Sequence, residues 1–331
     1  MRRNSQNNQD VSGYILLNKR PGISSFDSLG VIKKNLGTRK VGHAGTLDRF
    51  AQGLLIVLAG RATKLAPWFS SSSKVYRGTV LFGEETSTLD GEGEVIARAA
   101  PPSREEIERV LPEFSGDILQ APPSYSAVHV KGERAHVLAR RGVALVMEKR
   151  PVTVYKLVLD AYTRPLGEIT VHCSGGTYIR SLARDIALAA GSRGRLVSLT
   201  RVSIGDFSLE DAVLPDDDAL VSALRPIDKA ALAGLGIPVF DIDEKTARAV
   251  LHGRPLAPRD LLGAAGSSAA NSGTADSGAA GSSAADFGSP LLPGPLGVFS
   301  AGLGFVGMLD YQEGLLSYRC VYAREESHAG I

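Results

Sequence analysis

In the stretch Gly42-His43-Ala44-Gly45-Thr46-Leu47-Asp48-Arg49-Phe50-Ala51-Gln52-Gly53-Leu54-Leu55, a single carboxylate stands between a glycine-rich turn and an apolar run. The run continues from Leu54 to Ala59 and reads as a buried strand, so the chain must build a core around it. With 44% apolar residues among 331, it has the material to do so. No second acid accompanies Asp48, and a metal would need more ligands. Spacing alone leaves this residue open between an Asx turn, a helix cap and a catalytic acid.

The surrounding pattern mixes strands and helices. Tyr14 to Asn18 reads as a strand, followed by a Lys-Arg-Pro-Gly turn and by Ser24-Ser25, expected to cap a helix that ends at Gly37. Leu29, Ile32 and Leu36 give that helix its apolar face. From Val75 to Phe82 the residues alternate, placing Tyr76, Gly78, Val80 and Phe82 on one side. Ser103 and Glu106 form a capping box ahead of Ile107, Val110, Leu111 and Phe114. Further strands are expected at 152–162 and 168–173. A helix from about Thr177 follows, with Ile179, Leu182 and Ile186 inward and Gly191 as its stop. The order lacks strict strand–helix–strand alternation and predicts an α+β fold.

The clearest change in composition comes late. Residues 263–290 are almost all Gly, Ala and Ser and offer too little apolar surface to offset ordering entropy, so they are expected to be disordered. Strand-like pieces flank them, Ile237 to Ile242 before and Leu296 to Tyr322 after. The reading is a flexible N-terminus over 1–12, a main domain over 13–232, and a small C-terminal β domain over 233–328 that carries this insertion.

Several familiar chemistries find no footing. Gly302-Leu303-Gly304-Phe305-Val306-Gly307 matches the dinucleotide fingerprint but is followed by strand-like residues, so a hairpin is expected instead. Histidines 43, 129, 136, 172, 252 and 328 are scattered without metal-ligand spacing, and no G-x-S-x-G elbow occurs. Two cysteines, Cys173 and Cys320, make no disulfide framework and fit a reducing compartment. The polar opening MRRNSQNNQD lacks the apolar core of a signal peptide, and no window has the length of a membrane span. A soluble cytoplasmic protein is expected. Net charge is only +2, yet His129 to Arg150 carries six Lys and Arg against Glu133 and Glu148. That stretch reads either as a solvated helix face or as a phosphate-tracking patch, with Tyr125 and His129 as stacking surfaces. Cys173-Ser174-Gly175-Gly176-Thr177-Tyr178-Ile179-Arg180 has a turn tight enough to present Tyr178 and Arg180 to one cleft.

These stretches together resemble one family. The stretch 42–55 resembles the G-H-x-G-x-L-D-P-x-A-x-G-x-L motif of the TruB family of tRNA pseudouridine synthases. "LLNKRPGISSFDSL", "KVYRGTVLFGEETSTLDGEGEV", "PPSYSAVHVKGERAHVLARRG", "CSGGTYIRSLARDIA" and "LVSLTRVSIGDF" resemble further family motifs, in the family's order, across residues 13–230. The chain departs at Arg49 and Phe50 (Pro and Leu in the family), at Arg20 before Pro21, at Ser87 and at His136.

The resemblance implies a mainly antiparallel, mixed-sheet catalytic domain of pseudouridine-synthase type with a PUA-like C-terminal domain. It implies conversion of uridine to pseudouridine at position 55 in the T loop of tRNA, by a monomer, without cofactor, metal or membrane. Asp48 would be the catalytic carboxylate, Arg180 its partner and Tyr76 the ring stacked on the target base. His43 would fill the gap left by a flipped nucleotide, Tyr178 and Leu199 would line the pocket, and Lys19 and Asp90 would stand near the cleft. Two rivals remain at this stage: a tRNA-binding or folding protein without chemistry, and an aspartate-dependent glycosidase, which lacks an evident second carboxylate.

Overall fold

The apolar run that closes the aspartate stretch is a strand over Gln52–Ala59, buried at every position after Gln52. A strand of this kind needs neighbours on both edges and cover on both faces. The computed structural model, which describes residues 11–130, 132–143, 145–216, 218–262 and 292–323, supplies them. Its main sheet has nine strands: β1 (Gly13–Lys19), β2 (Val41–Ala44), β3 (Gln52–Ala59), β4 (Lys74–Phe82), β5 (Gly116–Gln120), β6 (Arg150–Thr163), β7 (Leu166–Cys173), β8 (Gly194–Ile204) and β9 (Phe207–Ser208). The spatial order is β1-β3-β8-β4-β7-β6-β5, with β2 alongside β3 and β9 alongside β8. Every pairing is antiparallel except the short one between β3 and β8.

Helices cover this sheet where the sequence predicts apolar stripes. Helix α1 (Leu29–Asn35) lays Leu29 and Ile32 against Ile15 and Leu17 of β1 and Leu55 and Val57 of β3. Helix α2 (Arg104–Val110) opens with the expected capping box between Ser103 and Glu106. Helix α3 (Ile179–Ala189) buries Ile179, Leu182 and Ile186 in a cluster with Tyr76, Val80 and Phe82 of β4 and Leu196 and Leu199 of β8. Gly191 follows it at φ +72°, a left-handed stop that glycine adopts without strain.

Three local expectations need correction. Ser24 and Ser25 do not cap α1. Ser28 precedes the helix without a side-chain cap, and Ser25 is drawn instead to the backbone of Leu47. The third helix starts at Ile179, because Gly175 and Gly176 keep the chain in a turn through Thr177. The central strand β8 was not anticipated as a strand at all. Its bulges between Leu196 and Ser198 and between Arg201 and Ser203 break the period of two that reveals a strand.

A second compact unit begins at Pro226. It contains helices α4 (Lys229–Ala233) and α5 (Glu244–Leu251) and strands β10 (Val239–Asp241), β11 (Gly294–Ser300), β12 (Gly304–Gln312) and β13 (Leu315–Val321). The four strands follow chain order, β10 parallel to β11 and the rest antiparallel. The fingerprint-like Gly302–Gly307 lies in the β11–β12 hairpin. Residues 1–10 and 263–290, expected to be flexible, lie outside the described residues. Val11 packs against the α1 cluster, and the Ser12 hydroxyl accepts the amide of Arg61. Among the described residues no helix is long and apolar enough to cross a membrane.

Gly53 marks the point where β3 meets β8. Its φ is +107°, and a Cβ there would sit 2.4 Å from the carbonyl oxygen of Arg201 and 2.8 Å from its amide nitrogen. Gly53→Ala is therefore expected to cost at least about 2 kcal/mol from backbone strain and overpacking. Chemical denaturation checks this, and an unchanged midpoint would contradict it.

Candidate active site

Asp48 lies in the loop between β2 and β3, and that loop is fastened from three sides. The Leu47 amide donates to the Ser25 hydroxyl at 2.8 Å, which in turn donates to the Leu47 carbonyl at 2.9 Å. The Gly22 amide donates to the Arg49 carbonyl, and Arg49 Nε returns a bond to the Gly22 carbonyl, both at 2.8 Å. Arg49 thus ties the loop at a position where the family motif has proline. From below, Arg201 Nε donates to the Leu54 carbonyl at 2.7 Å and Nη2 to the Gly45 carbonyl at 3.2 Å.

The Asp48 carboxylate is gripped by Arg180 through two parallel bonds, Nε to Oδ2 at 2.8 Å and Nη2 to Oδ1 at 2.9 Å. A planar guanidinium matches the two oxygens of a carboxylate in this fork geometry. Arg180 spends its other donors on the carbonyls of Thr88 (2.8 Å) and Tyr125 (3.0 Å), and its Nη1 lies 3.5 Å from Asp90 Oδ2. The side chains of Arg180 and Asp90 are 6% and 5% exposed, whereas Asp48 is 35% exposed. A buried guanidinium with four of its five donors hydrogen-bonded and the fifth beside Asp90 thus holds a carboxylate that still has an open side. Leu89 between the two donor-facing residues takes φ +65°, unusual for a residue with a Cβ, and the turn it makes presents Thr88 and Asp90 together.

The rings and the lysine surround this pair. Tyr76, on β4, is buried, pairs across the strands with Arg201 and shares a core cluster with Leu47, Ile179 and Leu199. Burial pushes its phenol up, against the pull of the Arg201 guanidinium. Tyr178 caps α3 and has its amide and carbonyl bracketed by the buried side chain of Gln120 at 2.8 and 3.1 Å. Its phenol is likewise pushed up by burial. The negative charge of Asp48 reaches both phenols and Lys19. Lys19 is fully buried at the end of β1, donates to the carbonyls of Arg20, Ile23 and Arg49, and is pushed down to about 8 by burial. His43, on β2, has a buried Nδ1 with no hydrogen-bond partner among the described residues and is held below the usual imidazole range, first by burial and then by Arg201. Of the sequence-derived residues, Arg180 binds Asp48 itself, Tyr76, Tyr178 and Lys19 feel its charge, Asp90 joins through Arg180, Leu199 through the core cluster it shares with Leu47 and Tyr76, and His43 through Arg201.

Sequence reasoning missed the supports: Arg201, Ser25, Gln120 and the Thr88 carbonyl. Arg201 is 1% exposed and forms no ion pair among the described residues. The available signal was an arginine two residues from Leu199 in a strand, on the same buried side. Among the described residues of the basic stretch at 129–150, none shares a hydrogen bond or ion pair with the side chains of this site, though the charge of Arg150 reaches the Tyr178 phenol. Within it, two strands of two residues each (His129–Val130 and Glu133–Arg134) pair antiparallel ahead of a short helix (Ala135–Arg140), with Arg141 paired to Glu133. Among the described residues no group of three His, Cys, Asp or Glu is placed to hold a metal.

The family model of the TruB family pseudouridylate synthase N-terminal domain matches residues 33–179. The chain is 41% identical over 261 residues to the tRNA pseudouridine synthase B of Novosphingobium aromaticivorans, covering 74% of this chain and 86% of that one. It is 38% identical over 256 residues to the protein of the same name from Solibacter usitatus, covering 75% and 87%. This chain belongs to the TruB family. A chain from the solved Cbf5-Nop10-Gar1 complex has the same fold, with a TM-score of 0.67 at 23% identity over 94% of this chain and 84% of that one. The TruB match spans the Asp48 loop, Tyr76 and Asp90 and stops at Ile179, one residue short of Arg180.

The depressed His43 gives a direct readout of Arg201. Its folded value lies below its unfolded one. The stability tied to the neutral ring is therefore complete above the ordinary imidazole value and is lost as pH falls through the lowered one. Nitrogen NMR of the ring should show it neutral at pH 7, and Arg201→Met should move its titration upward. An unmoved titration in the folded variant would break the link between the two.

Proposed function

We propose that this protein isomerises uridine to pseudouridine in tRNA, at position 55 of the T loop, with Asp48 as the catalytic carboxylate. The observation that carries the proposal is the bidentate hold of the buried Arg180 on a carboxylate left open on one side, in a member of the TruB family. The N1–C1′ bond of the nucleoside breaks, the uracil turns, and C5 bonds to C1′, with no net redox change and no hydrolysis. One carboxylate, acting as nucleophile or base, serves this chemistry. The guanidinium, bound to both oxygens, fixes which lone pairs face the ligand.

The target uracil must leave its stack to reach Asp48, at a cost of about a few kcal/mol. We assign His43, neutral and half-buried on β2, to the gap the base leaves. Tyr76 stacks on the extruded uracil and stands beside its C5 proton, Tyr178 closes the pocket, and Leu199 forms its apolar wall. Lys19 and Asp90 hold the frame, the one through loop carbonyls and the other through Arg180. The first unit would carry the chemistry and the second, with its four-stranded sheet, would be a PUA-like RNA-contacting module.

The test is pseudouridine mapping in a T-arm minihelix after incubation with the pure protein. Wild type should convert the T-loop uridine, and Asp48→Asn should lose turnover to the assay background while still binding the RNA. Full activity of that variant would overturn the assignment. RNA binding by a wild type that converts nothing would favour the non-catalytic tRNA-binding reading.

A further inference from the structure

The loop that pins Asp48 also displays an aromatic ring for which the fold has no internal use. Phe26 is 68% exposed, in contrast to core phenylalanines such as Phe69 and Phe82, which are fully or almost fully buried. Exposure of one apolar side chain means little by itself. Three further observations give it direction.

First, the ring sits beside the site. Ser25 is bonded to Leu47 through both its hydroxyl donor and its acceptor. Phe26 and Asp48 are each one residue further along, so their Cα atoms lie within roughly 15 Å. Second, the backbone under the ring is held. The Phe26 carbonyl accepts the Leu29 amide, Ser24 accepts the Asp27 amide, and buried Lys19 donates to the Ile23 carbonyl. Third, a cation is already in place, with Lys33 Nζ 4.8 Å from the centre of the ring. Lys33 and Lys34 fall in the last turn of α1, and residues 20–40 carry five Lys or Arg against the single acid Asp27. Asp27 is bonded to Ser24, and Arg20 is paired with Asp216, so the cations left to face a ligand are on and just beyond α1.

An exposed ring on a fixed backbone, flanked by ammonium groups, is the arrangement that binds an unpaired nucleobase on its face and the adjoining phosphates by charge. A protein partner is disfavoured by the charge of this surface, five Lys or Arg against one acid over residues 20–40, since interface cores are depleted in charged residues. We propose that Phe26 is a stacking platform for an unpaired base of the substrate RNA next to the target uridine, with Lys33 and Lys34 holding the phosphate that follows. This rests on the tRNA reading given above and adds a substrate contact to it.

The experiment compares wild type, Phe26→Ala, Phe26→Trp and Lys33→Ala on the same T-arm minihelix, measuring Kd by anisotropy together with kcat and KM. Stacking is lost in Phe26→Ala, so Kd and KM should rise roughly fivefold to hundredfold with kcat unchanged. Phe26→Trp should restore affinity, and its added indole emission should be quenched on RNA binding, which a merely structural role would not produce. Lys33→Ala should weaken binding and flatten its dependence on salt. Unchanged Kd and KM in a folded Phe26→Ala, or an indole that RNA does not quench, would overturn the platform while leaving the tRNA reading intact. A wild type that neither binds nor converts the minihelix would instead sink the tRNA reading itself.

Discussion

Arg180 and Asp48 come from points 132 residues apart in the chain, and their paired hydrogen bonds close the region between them. A guanidinium taken out of water is costly unless its donors are all engaged. Here one edge faces the Asp48 carboxylate, and the remaining donors meet two backbone carbonyls and the flank of Asp90. Those partners come from the 45–51 loop, the 86–90 turn and the segment after β5. Each must be in place for Arg180 to be buried, so one side chain sets the relative position of several loops. The asymmetry of exposure follows: the arginine is enclosed, and the acid alone faces outward.

A second arginine works from beneath. Arg201 is enclosed by the Gly45 carbonyl of the Asp48 loop and the Leu54 carbonyl of β3 and stands opposite Tyr76 in the β4–β8 register. No carboxylate neutralises it among the described residues, so its charge is felt by its neighbours. Lys19, His43 and Lys74 are all held down in part by it, after burial. The floor of the site is therefore positive while its titratable neighbours are discouraged from adding charge. Gly53 is the condition for this packing, because only a residue without a Cβ lets β3 approach the Arg201 backbone so closely.

Much of the frame is legible in local pattern. The alternation of 75–82, the capping box at Ser103 and Glu106, the glycine stop at Gly191 and the buried run at 54–59 all depend on neighbours within a few residues, and each forms as the pattern predicts. The strand β8 was hidden because two bulges shift its inward face, so that Leu196, Leu199, Arg201 and Ile204 are buried at uneven spacing. Ser25 departs from the expected cap for a related reason. Its hydroxyl satisfies a loop 22 residues away rather than the nearer helix, and short-range capping rules carry no information about that choice.

What the sequence determined by itself was the inventory: one acid in a glycine-bounded loop, an arginine at a helix start, two tyrosines, and motifs in an order that resembles a single family. Residue type and periodicity express those features because they are written in adjacent positions. What only the tertiary structure decided was how the inventory is held. The bidentate contact, the burial of Arg201 among backbone carbonyls and the bracketing of Tyr178 by Gln120 join residues from separate strands and loops. Hydrogen-bond saturation of buried polar groups is a three-dimensional condition, and it is met only once the sheet has brought those segments together.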